Sequence, residues 1–169
     1  MIEIYDDALL KEDQDYFESF LLSDLFPYYF RNNTTYQSEQ DTCQFQHNFY
    51  YGGKSNSKYF ESFFGRFKSF INQYSPYKNI IRMKSNLLLN NKANTFNSIH
   101  RDYDLDHINL IYYVNNSDGD TFLFDENIII KTVSPKKGRI LLFDGKYEHA
   151  SSNPINSKYR SIININLGL

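Results

Sequence analysis

A single cysteine, Cys43, in 169 residues leaves no partner for an internal disulfide and excludes a cysteine-rich zinc site. No stretch approaches the roughly 18 apolar residues of a membrane span. Charge of one sign is missing as well. With 18 Lys and Arg against 20 Asp and Glu the formal net charge is -2, so no global field draws the chain toward nucleic acid or a membrane surface. The opening stretch MIEIYDDALLKEDQDYF is acidic and lacks a basic segment followed by an apolar run. No secretory signal is expected, and the expected location is cytoplasmic. There is no internal repeat and no linker. The Asn- and Ser-rich stretches NNKANTFNS and SSNPINS lie between strongly patterned segments and read as loops.

What the chain has instead is aromatic residues, 15 Tyr and 15 Phe, with no Trp. Such residues suit strands and half-buried surfaces. The length is enough for one domain, residues 1–169, with a sizeable core. Residues 2–5 read as a short strand and 10–23 as a helix, with Phe17, Phe20 and Leu21 at helical spacing and Pro27 closing the region. Residues 44–51 look extended up to Gly52-Gly53. Residues 57–74 carry the clearest helical stripe, Tyr59, Phe60, Phe63, Phe64, Phe67, Phe70, Ile71 and Tyr74, with Pro76 beyond its end. After Pro76 the period changes. Residues 80–89, 106–115, 121–124, 128–133, 139–143 and 159–167 read as strands separated by Asn, Asp, Gly and Pro turns. Helices followed by short strands predict an α+β fold, with the helices on one face of an antiparallel sheet. Two facing sheets closed as a jelly roll suit the strand count.

The chemistry-bearing string is His100-Arg101-Asp102, read together with His149 and Arg160. In an extended segment His100 and Asp102 share a face and Arg101 points away. Two imidazoles and one carboxylate hold one face of an octahedral ferrous ion and leave positions open. In a two-sheet fold His149, after the turn Asp144-Gly145, approaches the first pair from across the cavity. An arginine on the following strand suits the far carboxylate of a dicarboxylate co-substrate. Charge supports the set: Fe(II) with one Asp is a net cation, a 2-oxo dicarboxylate makes it an anion, and Arg160 restores neutrality. Taken singly each piece is ordinary. His-x-Asp is common, His149 alone reads as a surface or capping histidine, and Arg160 alone as an ion-pairing strand residue.

At these residues the chain resembles the 2-oxoglutarate- and Fe(II)-dependent dioxygenases, in particular their compact, prolyl-4-hydroxylase-like branch. The matching text is SIHRDYD, HINLIYYVNNSDGDTFLF, VSPKKGRILLFDGKYEHASSNP and YRSIININL, about the last half of the chain. The resemblance implies a distorted double-stranded β-helix with helices packed outside its larger sheet. It implies His100, Asp102 and His149 as iron ligands and Arg160 as the partner of the distal carboxylate of 2-oxoglutarate. It further implies hydroxylation of a prolyl residue in a protein or of a small molecule, with release of succinate and CO2 and with ascorbate as reductant. Asp118-Gly119-Asp120-Thr121 matches the family's turn before a core strand, and Gly138 its turn before the strand leading to the distal histidine. Two departures stand out. Prolyl 4-hydroxylases usually carry lysine where Arg160 stands, and many relatives with arginine carry serine two positions later, where this chain has Ile162. A further co-substrate contact is therefore sought on strand 80–89, and Asn86 is the candidate, a plain surface amide being its alternative.

Other residues compete for these roles. His107 opens an apolar strand and reads as a core or edge histidine rather than a ligand. His47 reads as sheet surface, Asp104 and Asp106 as a solvated turn, Lys136-Lys137 as a solubilising turn, and Cys43 as a small buried residue. Arg101 is expected to meet an outer carboxylate, and Tyr103 and Tyr147 to shape the cavity mouth. A different class remains open: a non-catalytic jelly-roll binding module for sugar or peptide. So does a cupin-like isomerase that keeps the metal without the oxo acid. Nucleic acid and membrane are not expected partners.

Overall fold

A computed structural model describes residues 1–35, 41–91 and 95–169. In chain order the elements are β1 (Ile2–Tyr5), α1 (Lys11–Leu21), β2 (Tyr29–Arg31), β3 (Gln44–Tyr51), β4 (Lys54–Ser55), α2 (Phe60–Tyr74), β5 (Asn79–Leu89), β6 (His107–Tyr113), β7 (Thr121–Asp125), β8 (Ile128–Val133), β9 (Ile140–Asp144), β10 (Glu148–Ser151) and β11 (Tyr159–Gly168). The larger sheet runs β1-β9-β6-β11-β5-β3-β2, with β4 on β3; the smaller runs β10-β7-β8. All pairings between these strands are antiparallel. This is the α+β jelly-roll arrangement the strand spacing predicts. None of the described helices is long and apolar enough to cross a membrane.

Period-2 alternation sorts each strand of the larger sheet between two environments. On β11, Ile163, Ile165 and Leu167 join the cluster that α1 and α2 cover, whereas Ile162 turns into a second cluster between the sheets. Leu110 and Tyr112 of β6 likewise face the helices, and Ile111 and Tyr113 the space between the sheets. The helix-side core is dominated by rings. Phe63 of α2 is fully buried, with the Phe49 and Phe17 rings at 4.8 and 5.0 Å. Phe63→Ala should therefore destabilise the chain by about 3–5 kcal/mol, read as a lower urea midpoint with an unchanged slope.

The departures from expectation have local causes. Helix α2 begins at Phe60 rather than Ser57, because Ser57 is used as a tether. Its hydroxyl lies 2.8 Å from His47 Nε2 and also accepts the Tyr59 N–H. His47 is consequently not sheet surface: it is buried, with Nδ1 2.7 Å from the Pro27 carbonyl. Cys43 is exposed rather than buried, in the approach to β3. Lys136 and Lys137 do more than solubilise their turn, because Lys136 pairs with Asp6 and Lys137 with Asp15 and Glu18 of α1. The strands β2, β4 and β10 are two to four residues long, too short for a period to show, and exist by pairing with neighbours.

Candidate metal and co-substrate site

Two histidines meet in one ladder. His100 and His149 form an isolated antiparallel bridge that extends the smaller sheet beside β10, exchanging both backbone hydrogen bonds at 3.0 and 2.8 Å. Residues directly opposite in a ladder point to one face, and the two rings lie 4.4 Å apart by centroid. His149 thus reaches the site from the adjacent strand, not from across the cavity as the sequence suggests. Asp102, two residues after His100, completes the group: one ligand-capable atom from each of the three lies within 4.8 Å of the others. Among the described residues this is the one such cluster of His, Cys, Asp and Glu, and His107 is not in it. His107 is buried with Nδ1 2.7 Å from the Leu105 carbonyl, as a core histidine should be.

Each side chain is held. The Nδ1 of His100 lies 3.0 Å from the Ser98 carbonyl and must donate to it, which leaves the Nε2 lone pair aimed into the cluster. Asp102 is tied to the larger sheet. Arg82 Nη2 donates to Oδ1 at 2.6 Å, and the amides of Asn166 and Asn164 donate to Oδ2 at 2.8 and 3.1 Å. Burial pushes this carboxyl up, but Arg82, the two histidines and Lys84 overcome it and hold Asp102 well below the usual carboxylate range. Burial and the neighbouring His100 push His149 down to about 3, so its imidazole is the neutral, ligating form. Two imidazoles and one carboxylate clustered at one side fit a ferrous ion with open positions.

Arg160 lies behind this group. It is 2% exposed, and its Nη2 donates to Thr121 Oγ1 at 2.7 Å. No carboxylate forms an ion pair with it among the described residues, and its Nε has no partner there. Gly119 makes this placement possible, since a Cβ there would stand 2.6 Å from the Ser152 carbonyl and 3.0 Å from Arg160 Cδ. An inner cavity of about 40 Å³ is lined by His100, Asp102, His149, Thr121, Arg160, Ile162, Asn164 and Asn86. An outer pocket of about 220 Å³ shares His100, Asp102 and Lys84 with it and opens beside Arg101 and Tyr103.

The candidate co-substrate residues fall as follows. Arg160 and Asn86 both line the inner cavity. Asn86 donates to Gln44 Oε1 at 2.7 Å and leaves its own Oδ1 buried without a partner among the described residues, so it is not a surface amide. Ser161 turns to the helix side, against Tyr28, and Ile162 takes the cavity position. Arg101 has no carboxylate partner among the described residues; it is exposed on the pocket wall. Tyr103 lines the pocket as expected, whereas Tyr147 packs on the inter-sheet cluster.

Sequence reasoning missed Arg82, Lys84, Asn164 and Asn166. The signal was present. In YRSIININL the residues 160, 164 and 166 fall on one parity, and in IIRMKSNLL the residues 82, 84 and 86 do the same, with a small serine the one polar residue on the other parity of each. The ladder then sets Asn164 opposite Lys84 and Asn166 opposite Arg82.

No known family's sequence pattern matches the chain, and no curated protein matches it in sequence. Solved structures do match. An oxidoreductase of the 2OG-Fe(II) oxygenase family from Burkholderia pseudomallei superposes with TM-score 0.73 at 11% identity, over 98% of this chain and 84% of that one. A Pseudomonas putida prolyl-4-hydroxylase gives 0.68 at 13% identity, over 99% and 92%. The collagen prolyl hydroxylase of Paramecium Bursaria Chlorella virus-1, solved as its 2-oxoglutarate complex, gives 0.61 at 15% identity, over 99% and 96%. The chain therefore has the fold of the prolyl hydroxylases and 2OG-Fe(II) oxygenases, along nearly its whole length.

Proposed function

We propose that this chain is a 2-oxoglutarate- and Fe(II)-dependent hydroxylase, one catalytic domain acting on a prolyl residue of a protein or on a small molecule. The observation that carries the reading is Arg160, a buried guanidinium with no carboxylate opposite it among the described residues. It stands in the same cavity as a three-residue ligand set. An unpaired buried charge is expensive and persists where a ligand completes it.

His100, Asp102 and His149 would hold the ion, and Arg160 would take the distal carboxylate of 2-oxoglutarate. When bound, ion and co-substrate supply the oxygen chemistry: substrate C–H, O2 and 2-oxoglutarate become substrate C–OH, succinate and CO2. The protein orients and shields. Arg82, Asn164 and Asn166 fix the Asp102 carboxylate, leaving its remaining lone pairs for the metal. Ile162 and Ala150 line the inner cavity with apolar surface that excludes water. Asn86, by turning its amide so that the NH2 rather than Oδ1 faces the cavity, would be the donor that replaces the serine absent at 162.

Purified chain given Fe(II), ascorbate and O2 should convert 2-oxoglutarate to succinate and CO2, and zinc-loaded chain should bind 2-oxoglutarate with no turnover. If the metal-loaded chain binds no 2-oxoglutarate by calorimetry, the proposal fails and a non-catalytic binding module takes its place.

A further inference from the structure

Among the described residues the charges around the outer pocket do not balance: its wall includes Arg31 of β2, Arg82 and Lys84 of β5 and Arg101, against one anion, Asp102. That carboxylate already accepts from Arg82 at 2.6 Å. Arg31 and Arg101 are exposed and enter no ion pair among the described residues. Lys84 is 7% exposed, projects between the inner cavity and the outer pocket, and has no hydrogen-bond partner among the described residues.

A ferrous ion and 2-oxoglutarate do not correct this. The ion's two charges, with Arg160, Arg82 and Lys84, oppose Asp102 and the two carboxylates of the co-substrate. A net positive charge remains even when Lys84, which burial and the neighbouring Arg82 push down to about 7, is counted as neutral, and the arginines of the mouth add to it. A buried surplus of that kind is costly unless an anion meets it. The rest of the wall suits a polar occupant: among the described residues it presents amides and hydroxyls such as Gln46, Asn48 and Thr35 beside the Tyr51 and Tyr103 rings, and no aliphatic side chain.

We infer that the outer pocket recognises a substrate through an anionic group, a carboxylate or a phosphate, taken by Arg31, Lys84 and Arg101 beside the metal group. Calling that anion the substrate rests on the hydroxylase reading; the anion site itself does not. Fork-shaped guanidinium groups match the paired oxygens of either group. The two arginines on the mouth would gather the ligand, and the ammonium of Lys84 would meet it at depth.

The test titrates the isotope-labelled full chain, loaded with Zn(II) and 2-oxoglutarate in low-salt buffer, with inorganic phosphate, acetate and methylammonium, following backbone amides by NMR. Phosphate or acetate should shift the amides of Arg31, Lys84, Arg101 and Tyr103 saturably, and methylammonium should not. The Arg31→Gln/Arg101→Gln double variant should weaken anion binding by about tenfold or more while leaving zinc and 2-oxoglutarate affinity unchanged. Tighter phosphate than acetate identifies a phosphate-bearing substrate, and the reverse a carboxylate. The inference is overturned if neither anion shifts these amides, if the double variant responds like the parent, or if methylammonium acts equally. Phosphate binding in a chain that takes no 2-oxoglutarate would sink the hydroxylase reading and leave the anion site standing.

Discussion

Asp102→Asn should weaken Fe(II) binding by more than about 100-fold, the upper range for losing a mere outer contact of a metal site, and abolish succinate release, while the fold survives. The asymmetry follows from what Asp102 touches. As a carboxylate it offers lone pairs to three donors, Arg82, Asn164 and Asn166, and to the metal. An asparagine keeps one acceptor oxygen and places an NH2 where the other oxygen stood. It removes the anion from the ligand set but still fills the space.

Asp102→Ala behaves differently. It strips Arg82 of its carboxylate at a site where the two side chains are 13% and 4% exposed. Breaking a buried pair from one side costs about 3–5 kcal/mol, and at about 2–4 °C per kcal/mol for a chain of this size the melting temperature should fall by about 6–20 °C. A metal affinity unchanged in folded Asp102→Asn, measured by competition with a chelator, would remove Asp102 from the ligand set. A purely structural aspartate would show the stability loss in the alanine variant and no metal effect in either.

The same residues explain how much of the fold and site was legible. Long, strongly periodic segments declare themselves: the phenylalanine stripe of α2 and the alternation of β5, β6 and β11 follow from burial alone, because a face that meets the core must be apolar at the element's own period. The His100-x-Asp102 pair was legible for the same reason, since parity in an extended segment is local. What could not be read was set by pairing between distant segments. That His149 neighbours His100 in a ladder depends on a four-residue strand, Glu148–Ser151, whose existence is owed to β7 and to residue 100 rather than to its own composition. His47 was misjudged because its ring bonds go to Pro27 and Ser57, which no spacing announces. The cations Arg82 and Lys84 escaped notice because a charged residue on a strand is usually solvated. Lys84 is buried and Arg82 largely covered only because β11 and β3 flank β5. The co-substrate charge balance drawn from sequence therefore omitted two positive charges.

Arg160→Met should divide stability from function: the ligand-free chain should keep or raise its melting temperature, while the 2-oxoglutarate KM rises by about 30-fold to several thousand-fold, the range for losing one side of a buried charge pair at about 2–5 kcal/mol. In the absence of ligand Arg160 is a desolvated cation that donates to the Thr121 hydroxyl and lies over the Tyr113 ring, with no carboxylate in ion-pair contact among the described residues, and burial pushes its pKa down. Methionine has a similar length, no charge to desolvate and a polarizable stem that follows the same path past Gly119. Thr121 would not be orphaned, because Tyr113 OH donates to the same oxygen at 2.8 Å. An arginine placed for the fold would give the opposite pair of results: loss of stability on replacement, and a 2-oxoglutarate KM that does not move. Arg160→Lys adds a graded check. One ammonium reaches one carboxylate oxygen where the guanidinium reaches two, so KM should fall between parent and Arg160→Met, with little change in kcat. The natural position of a stabilising replacement inside a cavity would then mark Arg160 as a residue kept at a cost to the fold, for the carboxylate it binds.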